Sequence, residues 1–141
     1  MTMKDFLIEK YGIKPESEDL PDSNNAEFQE YLAIEPKNPD LSGVDFVDRV
    51  VIYGNKFISF ESFTADSCGF KGGFTMARCR IAGCLSFYFA YVYDSFELLS
   101  VRVGGSLTYP QNIGEMFADE DPGPLKIADL TVKGPTLFTK P

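Results

Sequence analysis

At Arg49 the hydrophobic period of the chain changes, and that change constrains the fold more than any other feature. Upstream, Met3, Phe6, Leu7 and Tyr11 recur at helical spacing, and Gly12 supplies a stop. Asn24, with Glu27 three residues on, opens a second short helix through Phe28, Tyr31 and Leu32, which Pro36 and Pro39 end. Downstream, short runs carry a period of two: 50–53, 56–63, 74–81, 85–93, 96–103 and 125–132. Pairs such as Gly54-Asn55, Ala82-Gly83 and Asp94-Ser95 separate several of them. Turns this short join antiparallel neighbours. The expected fold is therefore α+β: an antiparallel β-meander of about five to seven strands, with two short N-terminal helices packed at one side, left open or partly closed into a barrel. The run 85–93 is apolar on both faces and reads as a central strand. No internal repeat is apparent.

The same boundary divides the charge. Residues 1–48 hold twelve acids against four lysines, so the whole net charge of −8 lies there, and residues 49–141 balance. At 141 residues the chain is expected to form one domain, 1–141, with an acidic helix and loop segment (1–48) before a neutral, aromatic-rich β segment (49–141). Its opening reads as an amphipathic helix rather than a secretory signal, and its longest apolar run is too short for a bilayer span. With Cys68, Cys79 and Cys84 an odd set, the expectation is a cytoplasmic protein with free thiols; Cys79 and Cys84 flank a turn across which they could meet. Histidine is absent. That removes Ser-His-Asp and Cys-His nucleophilic catalysis, imidazole metal ligation and the usual near-neutral general base.

No stretch carries a recognisable catalytic chemistry, so no enzyme, cofactor or metal is expected. Pro122 and Pro124 break any calcium-loop spacing around Asp119-Glu120-Asp121, and Cys79 with Cys84 lacks a second zinc-ligand pair. Cys68, in a Gly-flanked loop, is the least implausible nucleophile. Clustered carboxylates can instead occupy the basic groove of another protein, steering the encounter at long range. The expected function is a non-enzymatic interaction protein, an acidic inhibitor of immunity type. It would bind and block a basic partner such as a nuclease or nucleic-acid-binding protein, as phage-encoded or toxin-neutralising inhibitors do. It would use Glu16, Glu18, Asp19, Asp22, Glu27 and Glu30, and touch neither nucleic acid nor membrane directly.

Two alternatives stand beside it. In the antiparallel register Arg78, Phe87 and Arg102 form one row with Arg80 two residues along, a pair of guanidiniums around a ring suited to a small anionic ligand or nucleotide. The other is a structural subunit of a virion or similar assembly, whose tail from Gly134 docks on a neighbour. The opening segment from Phe6 to Ile13, followed by Leu20-Pro21, resembles the N-terminus of a family of immunity proteins in which a helix ending in Tyr-Gly precedes a Leu-Pro step. The resemblance implies a binding protein. It stops there, because the Gly-Gly turn past the second helix and the C-terminal helix of that family are absent.

Overall fold

The computed structural model describes residues 1–11, 25–53, 56–113 and 125–138. Two helices open it, α1 (Met3–Tyr11) and α2 (Asn25–Ile34), where the helical spacing places them. Asn24, the expected cap of α2, lies outside the described residues. The rest is strand and corner, and every ladder is parallel. This overturns the antiparallel meander.

The chain winds as a parallel β-helix whose strands stack into three sheets. Sheet A holds β1 (Asp45–Phe46), β5 (Gly69–Phe70), β8 (Tyr91–Val92) and β11 (Asn112–Ile113). Sheet B holds β4 (Phe63–Thr64), β7 (Leu85–Ser86), β10 (Leu107–Tyr109) and β13 (Thr136–Phe138). Sheet C holds β2 (Val50–Ile52), β3 (Ile58–Phe60), β6 (Phe74–Ile81), β9 (Phe96–Val103) and β12 (Leu125–Val132). Phe74 pairs with Phe96, Leu85 with Leu107 and Gly69 with Tyr91, so the middle coil takes 22 residues, and the first, from Val50 to Phe74, takes 24. The step from Phe96 to Leu125 is longer, and its extra residues fall in 114–124, outside the described set.

A repeat therefore exists. The segment Arg80-Ile81-Ala82-Gly83-Cys84-Leu85-Ser86-Phe87 lies in register beneath Arg102-Val103-Gly104-Gly105-Ser106-Leu107-Thr108-Tyr109. Ala82-Gly83 and Asp94-Ser95 are corners of the coil, not hairpin reversals: Gly83 N donates to Glu61 O, one coil back, and Gly105 N to Gly83 O in turn. Gly54-Asn55 lies outside the described residues.

The doubly apolar run 85–93 is not one central strand. It bends at Phe89, whose φ is 57°, and the bend interrupts the alternation so that Phe87 and Ala90 both point inward. Ser67 holds the same conformation one coil earlier. A second column of left-handed corners runs through the long strands of sheet C at Arg78, Ser100 and Asp129, with φ of 55–56°. The ladders skip these residues and resume beyond them. Side chains other than glycine resist this conformation by about 1–2 kcal/mol each, so the ladders on both sides must hold every corner in place.

Phenylalanines fill the interior. Phe46 stacks on Phe70 at 5.3 Å, Phe70 meets Phe74 edge-on at 5.1 Å, and Phe87 joins Phe74 and Phe96 at 5.0 and 4.9 Å. All five are fully buried. The helices cap the first coil: Phe28 sets its ring edge-on to Phe46, and the buried Tyr31 hydroxyl donates to Met1 O and accepts from Asp40 N. No helix among the described residues is long and apolar enough to cross a membrane.

Candidate functional site

Inward residues alternate with outward ones along each rung, so every outer face is a set of columns with neighbours about 4.8 Å apart. On sheet A, Phe46, Phe70 and Val92 point in, which turns Asp45, Gly69 and Tyr91 out as one column. Val47, Lys71 and Tyr93 follow as the next, fixed by Lys71 N to Phe46 O and Tyr93 N to Phe70 O. One coil thus presents Tyr88, Phe89, Tyr91 and Tyr93, each 36–48% exposed, and Val47 adds to them at 44%. Large apolar groups grouped this way mark contact surfaces, and tyrosine brings a wide area at little cost in side-chain freedom.

The backbone fixes this face firmly. The left-handed corner at Phe89 turns its ring outward, 4.4 Å from Tyr88 and edge-on to it. Asp66 accepts from Ser86 Oγ at 2.5 Å and from Tyr88 N at 3.1 Å, tying the corner to the coil before it. Gly69 leaves space for the Asp45 carboxylate, since a Cβ there would lie 2.5 Å from Asp45 Oδ1. Asp45, Asp48 and Asp94 are exposed around the aromatic group and Asp66 is half-buried beside it. Arg49 folds back over Gly72 and Gly73, donating to Thr75 Oγ1 at 3.0 Å and Ser95 Oγ at 2.7 Å. Glu97 at 3.5 Å and Asp94 at 4.0 Å offset its charge.

The residues expected from sequence are distributed differently. Glu16, Glu18, Asp19 and Asp22 lie outside the described residues. Glu27 is half-buried on α2, and Glu30 is exposed there and ion-paired with Lys10. The row Arg78, Phe87, Arg102 does not form. Phe87 is fully buried in the interior, Arg78 sits at a corner with its side chain exposed, and Arg102 pairs in register with Arg80. Parallel winding adds 22 residues per rung, whereas a hairpin pairs positions by reflection about its turn. The antiparallel assumption therefore selected the wrong neighbours.

All three cysteines are free. Burial raises the Cys68 thiol far above its usual range while its Sγ donates to Leu41 O, so it is no candidate nucleophile. Cys79 is buried and pushed up to about 12, chiefly by burial. Cys84 is exposed and lowered by the hydrogen bond from Ser106 Oγ at 3.2 Å. Among the described residues no three His, Cys, Asp or Glu side chains gather as a metal site.

The aromatic positions are visible in the sequence but read there as core and rim of a sheet. The 22-residue repeat is the signal that assigns them to an outer face. No protein-family model matches this chain, no curated protein matches it, and no solved structure matches it.

Proposed function

We propose that the chain is a non-enzymatic, cytoplasmic interaction protein that docks on a basic protein and blocks its basic surface. The aromatic face of sheet A is the contact, and the surrounding acids are its rim. The observation that carries this reading is the exposure of Tyr88, Phe89, Tyr91 and Tyr93 on one rigid coil, bordered by Asp45, Asp48, Asp66 and Asp94. Buried aromatic anchors supply most of the affinity in such interfaces, while rim carboxylates speed encounter with a cationic partner and lose effect in salt. A net charge of −8 adds long-range attraction, to which Glu27 and Glu30 contribute from the helical cap.

Capture from source-cell extract, at low and high salt, tests it with three proteins: the intact chain, Tyr88→Ala with Tyr91→Ala, and Asp45→Asn with Asp94→Asn. The expected result is a basic partner held by the intact chain, lost with the aromatic pair, and held less well and with less salt dependence by the neutralised pair. Equal capture by all three proteins refutes the reading.

A further inference from the structure

A second outer face, on the far half of sheet C, has the opposite electrostatic character. Beyond the corners at Arg78, Ser100 and Asp129, the buried residues Phe60, Ile81 and Val103 turn their neighbours outward. Ser59, Arg80, Arg102 and Thr131 then form one continuous column across four rungs. Next to it run Ala82, Gly104 and Lys133. Ala82 and Gly104 are small, and a Cβ at Gly104 would run into the Ala82 carbonyl oxygen, so the floor stays low between the column and the corner into sheet B. The result is an open recess of about 370 Å3 with a mostly apolar surface, in which Ser59, Arg80, Arg102, Thr131 and Lys133 are the polar lining residues and no carboxylate takes part.

The cations there are unevenly compensated. Arg102 donates to both carboxylate oxygens of Asp129, at 2.9 and 3.0 Å, and to the Asp129 carbonyl at 2.7 Å. Arg80 lies over the Phe57 ring at 4.6 Å, and neither it nor Lys133 has a carboxylate partner among the described residues. Glu61, at the border, accepts from Asn38 Nδ2 at 2.8 Å and keeps its charge, but it is not part of the recess lining. Arg80 and Arg102 are direct partners on adjacent rungs, and the Asp129 carboxylate offsets only the second of these charges. In a chain of net charge −8, two uncompensated cations around a low floor make a place where an anion relieves repulsion.

We propose that this recess binds a small phosphate-bearing ligand. Arginine offers planar paired donors that match phosphate oxygens, lysine adds a point charge, and the Ser59 and Thr131 hydroxyls extend the donor set to either side. A phosphoryl group carries enough charge and enough oxygens to engage neighbouring rungs at once, which a single carboxylate does not. The volume suits a small molecule rather than a polymer.

The test is an amide chemical-shift titration of the full chain with inorganic pyrophosphate, with acetate in parallel, on the intact protein and on Arg80→Ala, Lys133→Ala and Lys126→Ala. Saturable pyrophosphate binding is expected, with shifts centred on Ser59, Arg80, Arg102, Thr131 and Lys133. Arg80→Ala and Lys133→Ala should each weaken it about tenfold, a loss of one charge-assisted contact, and Lys126→Ala should leave it unchanged. Absence of saturation, acetate binding as strong as pyrophosphate binding, or affinity unchanged in Arg80→Ala would each overturn the proposal. Thermal unfolding of the variants checks that the fold is intact. The recess lies on a different sheet from the aromatic face, so either reading can fail without the other.

Discussion

At the helical end of the coil, Val50 and Ile52 are 0% and 3% exposed, whereas Leu125 and Ile127, in the same columns at the other end, are 42% and 37% exposed. Between them Phe74 and Phe96 are fully buried, as are Met76 and Leu98. The four rungs share one pattern of inward residues, so the pattern alone does not determine burial. Burial requires a neighbour on both sides: α2 covers the first coil, with Gln29 and Leu32 around the same recess as Val51 and Ile52. Among the described residues β12 pairs on one edge only. An inward position in a stacked coil is thus worth what its two neighbours make it worth.

The sharpest way to break this comparison is to truncate equivalent side chains at different heights. Phe74→Ala removes a ring in contact with Phe63, Phe70, Phe87 and Phe96, and should lower unfolding stability by about 3–5 kcal/mol. Ile127→Ala, at the open end, should lower it by only about 1–2 kcal/mol, because 37% of the residue stays in water in the folded chain. Urea unfolding of both variants checks the contrast, and equal losses would mean the last rung is as well covered as the middle.

The cap gives a smaller effect. Tyr31→Phe leaves Met1 O and Asp40 N without their shared hydroxyl and should cost about 1–2 kcal/mol. The phenol also carries a pH signature: burial raises it from 10.0 to about 12 in the folded protein. Its contribution is therefore complete below pH 10 and is lost as pH rises toward 12. Alkaline unfolding curves of the intact chain should fall through that window, and those of Tyr31→Phe should fall less steeply.

The smallest effect belongs to the open end. Arg102 and then Ser100 hold the Asp129 carboxyl below its usual range, so whatever the contact contributes is present above the unfolded value and fades as pH falls through the folded one. The group is fully exposed, and Asp129→Asn should leave the melting temperature at neutral pH within measurement error.

Both helices and the long strands at Phe74–Ile81, Phe96–Val103 and Leu125–Val132 are legible in the sequence, since each carries its own period. The direction of pairing is not. A strand ending in Ala82-Gly83 looks the same whether the chain reverses or turns a corner, because local alternation is identical on both routes. The corners are hidden more deeply: left-handed residues are normally announced by glycine or asparagine, and here they are Ser67, Arg78, Phe89, Ser100 and Asp129. The aligned octets from Arg80 and Arg102 carry the missing information, and comparing them places both arginines on one column. Of the two candidate sites, the pairing of Arg80 with Arg102 follows from that alignment, whereas the aromatic face also needs the bend at Phe89.

The stacked coil has a consequence for how the chain assembles and how it could change in length. Along sheet C each rung closes a loop of similar size on the one before it, 24, 22 and then 29 residues, so the entropic penalty of adding a rung changes little instead of growing with the distance back to the first residue. Assembly can therefore advance turn by turn from the helical end, each finished edge templating the next. By the same logic the natural unit of insertion or deletion is the whole turn. Residues 74–95 begin at one inward phenylalanine and end just before its partner, Phe96, so their excision would bring Gly73 to Phe96 with the columns on either side still in phase.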